Sequence, residues 1–433
     1  MGQRSLSDFK GRGEKVMIKR DLVIIGGGSA GMAAAIEAKK NGIDDILILE
    51  KDSVLGGILN QCIHNGFGLT EFKEELTGPE YLSRFADQVE EMGIEYKLDS
   101  LVLDVTENKV VTYSNEKDGV VMVEAKAIIF ATGCYERGPG AIQMAGDRCA
   151  GIITAGTAQK YLNIHGFLAG KRIVILGSGD IGLIMARRMT LEGAKVLCVS
   201  EIMPYSNGLN RNIAQCLNDY NIPLYLSRSV LRVEGKSGRV EKVVLAAVDD
   251  KMKFIPGTEM EFECDTLLLS VGLIPYVSLL DHLHADMSST RGAKVNDQLM
   301  TSIPGVFACG NCLHVHDVVD FVTDEGRDAG RGAANYIKGL VEKKKHITVK
   351  PGNGVGYVIP QFIETDLNND ITFKFRVRRP INNVFVNFKS GDKLVHKVVK
   401  PVLIPSEMVM IKINKDKLSD LPVDEIEVSL EER

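Results

Sequence analysis

Two segments of this sequence carry glycines at a spacing that can hold the phosphates of a dinucleotide. Each segment follows four apolar residues and has the pattern Gly-x-Gly-x-x-Gly. The first glycine allows a tight turn, the second lets the backbone approach a pyrophosphate, and the third lets the next helix pack closely on the strand. The glycines are Gly26, Gly28 and Gly31 in the first segment and Gly177, Gly179 and Gly182 in the second.

The elements around the two motifs repeat as well. Leu22–Glu50 and Ile173–Glu201 align without a gap, and each predicts a strand, a helix and a second strand. The helix N-terminus presents free N–H groups to a phosphate, and Glu50 and Glu201 stand where a carboxylate accepts the hydroxyls of a ribose. One such motif is weak evidence. Two complete units predict two bound dinucleotides, which indicates a flavin that exchanges electrons with a nicotinamide.

Further apolar segments complete an α/β fold. Ala127–Gly133 and Thr266–Gly272 are predicted strands that end in glycine, and Leu101–Val123 has the turns of a β-meander. Gly305–Asn311 is a third apolar segment, and a helix rich in small residues is predicted for Asp324–Lys338. The order of these elements predicts two Rossmann-like units.

Residues 20–340 resemble the flavoproteins with two dinucleotide-binding domains of the pyridine nucleotide–disulfide oxidoreductase superfamily. Ala131-Thr132-Gly133 matches the middle motif of that family, and Gly305–Asn311 matches its second FAD motif, with Asn311 in place of the usual aspartate. The resemblance implies that the first repeat binds FAD and that an NAD-binding domain is inserted into the FAD domain. The residues expected at FAD are Gly26, Gly28, Ser29, Ala30, Gly31, Glu50, Lys51, Gly57, Ala131, Thr132, Gly133, Gly310 and Asn311, and those expected at NAD are Gly177, Gly179, Asp180, Ile181, Gly182, Glu201 and Gly272.

Four segments are similar to a narrower subgroup, the FAD/NAD-linked subunits that accompany glycerol-3-phosphate dehydrogenase-type flavoproteins and are related to opine oxidase and hydrogen cyanide synthase flavin subunits. The resemblance implies a hetero-oligomer that relays electrons between NAD(H) and a partner flavoprotein oxidising glycerol 3-phosphate or a similar small substrate. Two alternatives stay open: a stand-alone NADH:acceptor reductase for a thiol, disulfide or quinone, and a redox-inactive binding subunit that flavin stabilises. The segments are Leu55–Leu69, Gly133–Ile142, Thr154–Gln159 and Gly310–Val322.

The choice of nicotinamide depends on the end of the second repeat. Glu201 repels a 2′-phosphate, and residues 202–204 supply no cation to receive one. Arg211 lies further along the chain and can reach such a phosphate in principle. The charge pattern therefore favours NAD over NADP.

The cysteines near the predicted flavin do not form the pair that disulfide reductases use. In that C-x4-C arrangement the cysteines would stand at Leu59 and His64, so the disulfide-reductase reaction in its usual form is not expected. Cys62 is a candidate flavin-facing thiol, and a buried, inert thiol is the alternative. Cys309 and Cys312 form a C-x-x-C, which is a redox pair, half of a metal site, or two structural thiols.

Two histidines follow the Gly-Asn turn. His314 and His316 are expected to begin a helix whose N-terminus faces the flavin pyrimidine ring, where an imidazole can donate a hydrogen bond or move a proton. The alternative is a pair of N-cap or solvent-facing residues. His64 is a weaker candidate of the same kind, and no spacing of possible ligands predicts a metal site.

The C-terminal residues differ in character from the rest of the chain. Helix signals end at residues 351–356, and alternating strands at Thr372–Arg378, Val384–Phe388 and Val409–Ile413 predict a small antiparallel β domain. Residues 374–417 hold 11 Lys/Arg against 3 Asp/Glu, and residues 418–433 hold 6 acids and 1 base. This segregation indicates either a solvated face or a docking surface for an acidic partner subunit.

The overall composition excludes several classes of protein. The 433 residues carry a net charge of −5, which disfavours nucleic acid as a partner, and no apolar run approaches the roughly 20 residues of a membrane span. Residues 1–20 lack the apolar core of a signal peptide, and 8 scattered cysteines favour reduced thiols, so we expect a cytoplasmic enzyme. The predicted domains are an N-terminal extension (1–20), an FAD-binding domain (21–150 and 272–345), an NAD-binding domain (151–271) and a C-terminal β domain (346–433).

Overall fold

The computed structural model describes residues 17–236, 238–340, 343–365, 370–418 and 421–433. Most of the predicted N-terminal extension, residues 1–16, therefore lies outside the described residues. Within the described ranges, no helix is both long enough and apolar enough to cross a membrane.

The first unit forms around the first glycine motif. Its elements are β1 (Ile18–Ile25), α1 (Ser29–Lys40), β2 (Ile46–Leu49), a 3₁₀ turn (Gly57–Gln61), β3 (Asn65–Phe67), β4 (Leu76–Thr77), α2 (Gly78–Glu91), β5 (Glu95–Lys97), β6 (Leu101–Val105), β7 (Val110–Asn115), β8 (Gly119–Phe130) and β9 (Cys134–Glu136). β1 pairs in parallel with β2 and with β8, and its apolar second half is buried on both faces. The strand order is β5-β2-β1-β8-β7-β6, in which β6, β7 and β8 form the predicted meander.

The second unit repeats this plan around the second glycine motif. Its elements are β10 (Ile152–Thr154), α3 (Ala155–Asn163), β11 (Arg172–Leu176), α4 (Asp180–Leu191), β12 (Lys195–Ser200), α5 (Asn210–Cys216), a 3₁₀ turn (Asn218–Tyr220), β13 (Leu224–Tyr225), β14 (Arg228–Glu234), β15 (Lys242–Ala247), β16 (Met260–Glu263) and β17 (Thr266–Leu269). The parallel sheet has the order β10-β17-β11-β12-β13, and β14, β15 and β16 form a separate antiparallel sheet.

The chain then returns to the first unit. The returning elements are β18 (Leu273–Pro275), α6 (Ser278–His282), β19 (Val306–Ala308), a 3₁₀ turn (Gly310–Cys312) and α7 (Val319–Ile337). β18 pairs with β9 where the chain crosses between the units, and β19 adds to the first sheet beside β8. This double crossing confirms the predicted α/β fold with one Rossmann-like unit inserted into another. The exact domain boundaries stay a proposal, and Met144, before residue 151, is already buried in the core of the second unit.

The C-terminal residues form the predicted antiparallel β unit. Its elements are β20 (Lys343–Pro351), β21 (Val355–Ile359), β22 (Phe362–Thr365), β23 (Ile371–Val377), β24 (Ile381–Ser390), β25 (Lys393–Leu403), β26 (Val409–Ile413), a 3₁₀ turn (Lys415–Lys417) and β27 (Glu425–Glu432). The strands form two sheets, in the orders β22-β20-β27-β24-β25 and β21-β23-β26. Their inward side chains enclose an apolar core that includes Phe373, Phe375 and Phe388.

The acidic C-terminal segment neutralises part of the basic run within the same unit. β27 is a central strand that pairs with β20 and β24. Glu425 forms an ion pair with Lys350 at 2.6 Å, and Glu431 lies 3.7 Å from Lys397. The segregation of charge along the sequence is therefore partly removed in the fold, and these exposed pairs contribute little to stability.

Two glycines of α7 allow it to pack against α1. A Cβ at Gly326 would overlap the carbonyl oxygen of Ala30, and a Cβ at Gly330 would overlap that of Ala34. The two helix backbones therefore approach more closely than any side chain between them would permit. This contact holds α7 over the glycine turn at the start of α1.

We predict that Gly330→Ala destabilises the protein by about 2 kcal/mol or more, although alanine in an ordinary helix position stabilises by roughly 1 kcal/mol. The reversed sign follows from the overlap with Ala34. Urea unfolding followed by far-UV circular dichroism measures the effect. Gly140→Ala is the matched control, because a Cβ there meets no atom within 4 Å, and equal stability of the two variants would contradict the prediction.

Candidate functional site

The first glycine turn and the end of β2 form one cradle. Gly26 has φ +107°, and a Cβ there would overlap the carbonyl of Ala131, so only glycine fits the turn. Glu50 is buried, and its Oε2 accepts a hydrogen bond from the Gly27 N–H at 2.7 Å. Its Oε1 accepts a second from the Asp52 N–H at 2.8 Å. The carboxylate is thereby fixed beside the turn.

The second glycine turn is built in the same way. Glu201 is also buried, and its Oε2 accepts hydrogen bonds from the Ser178 N–H at 2.9 Å and from the Ser178 hydroxyl at 2.6 Å. Its Oε1 accepts from the Met203 N–H at 3.0 Å. Asp180, in the first turn of α4, accepts from the Leu209 N–H and so holds the loop that follows Glu201. The two cradles thus share the same arrangement of backbone and carboxylate.

One continuous cavity of about 2150 Å³ joins the two cradles. It exceeds the roughly 300–1,000 Å³ of an ordinary small-molecule pocket. With four exceptions, every residue predicted from the sequence to bind a cofactor or to act in catalysis lines this cavity. The exceptions are Gly31, Gly182, Gly310 and His314. The individual assignments to FAD and NAD stay predictions.

The four exceptions have structural positions. A Cβ at Gly31 would overlap the Gly26 carbonyl, and a Cβ at Gly182 would press on Ser270, so these glycines allow helix and strand to meet. Gly310 has φ +70° and donates its N–H to a buried carboxylate. His314 lies one layer behind the cavity wall.

The glycines that face the cavity show that it fits a ligand. A Cβ at Gly28 or Gly133 would meet no protein atom within 4 Å, and the two residues lie in the turns that follow β1 and β8. The open space beside Gly28 lies at the N-terminus of α1, whose free N–H groups suit a pyrophosphate. The residues present therefore fit a flavin dinucleotide in the first cradle and a nicotinamide dinucleotide in the second.

The two histidines after the Gly-Asn turn lie before the helix and not in it. α7 begins at Val319, so the predicted helix start at His314 is wrong. Both rings are buried and stack with centroids 4.1 Å apart. The two histidines lie in the segment between the 3₁₀ turn and α7. Because both side chains are buried, the solvent-facing alternative is excluded. His316 lines the cavity, and its backbone N–H donates to Asn311 Oδ1 at 3.0 Å.

Glu325 of α7 organises these histidines, and the sequence did not single it out. Its Oε1 lies 2.8 Å from His314 Nε2, and its Oε2 lies 3.5 Å from His316 Nε2. Although these three side chains are possible metal ligands, Lys374 of β23 places its ammonium 2.9 Å from the same Oε1. A second cation would be repelled there, so the cluster is a network of charges and hydrogen bonds.

Cys62 lies between the two units at the cavity wall. Its thiol is 3.4 Å from the Ile58 carbonyl and 3.9 Å from Gln159 Oε1. Gln61, beside it, donates to Gln159 Oε1 at 3.0 Å and to the Gly156 carbonyl at 2.8 Å, which ties the 3₁₀ turn to α3. Burial raises the pKa of the Cys62 thiol to about 12. The thiol is therefore held in place and protonated at neutral pH.

His64 faces the second unit. Burial is the largest cause that lowers its pKa, and Arg211 of α5 lowers it further while Asp180 opposes this. Arg211 also lies against Gly66. The guanidinium that we considered for a 2′-phosphate therefore lies beside the loop that carries His64.

Cys309 and Cys312 are buried, and all eight cysteines of the chain are free. The Cys312 thiol donates to the carbonyls of Phe130 at 3.1 Å and Cys309 at 3.2 Å. Burial raises the pKa of both thiols, that of Cys312 to about 11. Their contacts favour the structural alternative.

The C-terminal unit forms part of the cavity wall. Arg376 of β23 lines the cavity together with Pro405 and Ser406. Its guanidinium pairs with Asp317 and donates to the Val315 carbonyl at 3.1 Å. The sequence pattern places these residues in a separate domain, and tertiary packing brings them to the predicted flavin side.

We predict that Gly28→Val yields a folded protein that has lost its FAD, because the side chain enters the open space at the N-terminus of α1 where the pyrophosphate is expected. Absorbance near 450 nm and circular dichroism of the purified variant measure the two properties. Gly138→Val is the control, since that glycine also has open space around it. Flavin retained by the Gly28 variant would refute the assignment of this cradle.

We predict that Glu50→Gln and Glu201→Gln separate the two cofactors. Each amide places a donor against a backbone N–H, so each cradle is weakened by about tenfold in affinity. Glu50→Gln should lower FAD content, and Glu201→Gln should raise the KM for NADH without loss of FAD. The variants serve as controls for one another, and identical behaviour of the two would contradict the assignment.

Comparison with known proteins agrees with this geometry. The family described as pyridine nucleotide-disulphide oxidoreductase matches residues 20–330. The chain is similar to the NAD(P)H sulfur oxidoreductase (CoA-dependent) of Pyrococcus abyssi, with 28% identity over 70% of this chain and 65% of the relative. It is also similar to the NAD(P)H coenzyme A polysulfide/persulfide reductase of Pyrococcus horikoshii, with 25% identity over 70% of this chain and 64% of the relative.

Among solved structures, the thioredoxin reductase of T. acidophilum superposes with a TM-score of 0.61 and 25% identity, covering 74% of this chain and 99% of that one. The chain spans just under two thirds of the length of the two Pyrococcus relatives. None of these three proteins is named as a glycerol-3-phosphate dehydrogenase subunit. Since the family match covers well over half of its residues, the chain belongs to the pyridine nucleotide-disulphide oxidoreductase family, an oxidoreductase family whose cofactors are FAD and NAD(P)H.

Proposed function

We propose that this chain is an NAD(P)H-dependent reductase of a small sulfur acceptor, such as a persulfide, polysulfide or disulfide. The observation that carries the proposal is the cavity that joins both nucleotide cradles and includes Cys62 in its wall. The names of the two Pyrococcus relatives support the class of acceptor. This function corresponds to the stand-alone reductase among the alternatives that the sequence left open.

The proposed reaction needs one hydride, which carries two electrons and one proton, and one further proton. A persulfide R–S–S–H, NAD(P)H and a proton give R–SH, H₂S and NAD(P)⁺, with the S–S bond broken. When bound, FAD supplies the two-electron carrier chemistry that side chains cannot provide. The residues of this chain position the reactants and exclude water, and the cradles at Glu50 and Glu201 set the direction from which each nucleotide enters.

We assign Cys62 the role of the thiol that meets the acceptor. Its thiolate attacks the outer sulfur, R–SH leaves, and Cys62 carries a persulfide until two electrons and a proton release the sulfur as H₂S. Gln159 and the Ile58 carbonyl hold the thiol at the wall of the cavity. The single cysteine suits this exchange, because within the described residues no disulfide pairs it with a second thiol.

We predict that the purified protein is bleached by NADH without oxygen and that Cys62→Ser keeps this reduction but loses at least about 100-fold of persulfide turnover. Cys134→Ser is the matched control, because Cys134 also lines the cavity. Since burial raises the pKa of Cys62 to about 12, the thiolate fraction and the turnover should rise with pH between 7 and 9. Full turnover by Cys62→Ser would remove the assigned role, and a flavin that NADH fails to bleach would refute the proposed reductase.

A second candidate is the relay to a partner flavoprotein that oxidises glycerol 3-phosphate or a similar substrate, in a hetero-oligomer. The observation that favours it is the set of hydrogen-bond partners of the Cys62 thiol, the Ile58 carbonyl and Gln159 Oε1, because neither is a cation that would stabilise a thiolate. The same experiment separates the candidates. Bleaching by NADH without turnover of persulfides or disulfides supports the relay, and electrons should then pass to a partner subunit that copurifies with the chain.

A further inference from the structure

The C-terminal β unit sends a lysine into the core of the first unit. Lys374 lies between Phe373 and Phe375 on β23, and the sequence alternation places it on the polar face of that strand. In the structure its side chain is only 9% exposed. The ammonium reaches Glu325 of α7, with Nζ 2.9 Å from Oε1. Lysine side chains are rarely buried unless a partner compensates their charge, so the burial of Lys374 between two units indicates a specific role.

Glu325 is the centre of the network that receives this lysine. Its side chain is fully buried. Besides Lys374, it accepts the Gly310 N–H at 2.8 Å on Oε2 and contacts His314 Nε2 at 2.8 Å on Oε1. Every oxygen of the carboxylate therefore has a partner, and one of these partners carries a full positive charge.

The charge of Lys374 decides how many protons the network holds. A buried carboxylate without a cation is costly and takes up a proton, either itself or through a neighbouring base. Lys374 is the leading cause that offsets burial and keeps the pKa of Glu325 well below its ordinary value. Burial lowers the pKa of His314 to about 4, against the opposing pull of Glu325. The negative charge of Glu325 is balanced by the positive charge of Lys374, so His314 stays neutral.

We propose that Lys374 is a positioning residue by which the C-terminal β unit fixes the proton count of the Glu325–His314 network behind the cavity wall. With the lysine in place, the network holds one negative and one positive charge. Without the lysine, the network gains a proton at neutral pH. The C-terminal unit is in this sense part of the site.

Other charged groups around the network do not replace Lys374. Asp324 and Asp328 of α7 are acids near the lysine and add negative charge. Arg376, which lies on the same face of β23 as Lys374, forms an ion pair with Asp317. The remaining titratable neighbours are thiols and a phenol that burial holds protonated, namely Cys309, Cys312 and Tyr357 of β21.

The network reaches the cavity at His316. His316 Nε2 lies 3.5 Å from Glu325 Oε2, and its Nδ1 lies 3.2 Å from Asn311 Oδ1. Its ring stacks on that of His314 and lines the cavity. The ring of His316 thus forms part of the wall, and Lys374 and Glu325 set the charge that lies behind it when a ligand is bound. This role at the wall rests on the proposed function, whereas the proton count does not.

The test compares thermal unfolding of the complete, cofactor-loaded protein with that of Lys374→Met between pH 6.5 and 8.5. In the variant, the folded state holds a proton that the unfolded state has released in this range, so its stability falls as pH rises. In the wild type folded His314 is neutral, while an unfolded histidine is about half protonated at pH 6.5 and neutral at pH 8.5. The wild type therefore loses no stability from this network as pH rises. The Tm deficit of Lys374→Met should therefore be at least about 2 °C larger at pH 8.5 than at pH 6.5.

Two further variants keep the test decisive. Glu325→Gln leaves Lys374 buried without its acid, which lowers the pKa of the lysine. The Tm deficit of this variant should therefore be larger at pH 6.5 than at pH 8.5. This measurement replaces the first one if Lys374→Met does not fold. Lys412→Met on β26 is the control, because Lys412 is 67% exposed and pairs with Asp370 at 3.6 Å. Its deficit should not vary with pH.

Histidine nitrogen NMR supplies a readout that a merely structural lysine would not move. Two results support the proposal. One is an additional protonated imidazole in Lys374→Met. The other is a proton on Glu325, which is detected because the double variant Lys374→Met, Glu325→Gln loses the pH effect. Equal deficits of Lys374→Met at both pH values, with unchanged imidazole signals, would overturn it. Flavin bleaching by NADH is measured separately on the wild type. If NADH fails to bleach the flavin, the proposed reductase is wrong, and the pH dependence of the Tm deficit still tests the role of Lys374.

Discussion

The bond between a buried carboxylate and the backbone of a glycine turn governs the architecture of both nucleotide cradles. Glu50 holds the Gly27 N–H, and Glu201 holds the Ser178 N–H, each at the end of the strand beside the turn. These bonds fix the separation between the phosphate end and the ribose end of each cradle. Because the turns have no room for a Cβ at Gly26 and Gly177, the spacing cannot relax.

Glycines also determine how closely the two helices α1 and α7 pack. α1 and α7 meet backbone to backbone through Gly326 and Gly330, which brings the 3₁₀ turn at Gly310 beside the first cradle. Glu325 precedes Gly326 on α7 and accepts the Gly310 N–H. One buried acid thereby connects the helix contact, the Gly-Asn turn and the histidines at the cavity wall.

The cavity is made by three units and not by two. The inserted unit supplies Gln159, which contacts the 3₁₀ turn that carries Cys62, and the C-terminal unit supplies Arg376 and Lys374. The chemistry at the cavity therefore depends on how the units pack. Loss of any one of them would alter either the placement of the thiol or the charge behind the wall.

The sequence by itself determined the two Rossmann-like units, the cradles and the β-sheet character of the C-terminal residues. These features follow from local patterns, namely glycines that a turn requires, apolar strands, and an acid at a fixed distance. It also located Cys62 and His316, although it placed His316 in a helix that starts only at Val319.

Tertiary structure alone decided the partners of those residues. Glu325 reads as one acid in an amphipathic helix, and Lys374 reads as the polar member of an alternating strand, so neither pattern signals a buried ion pair. Their pairing joins residues of two units that are far apart in sequence. Burial and charge at the cavity wall are properties of that packing, because desolvation depends on every element around a group and not on its neighbours in the chain.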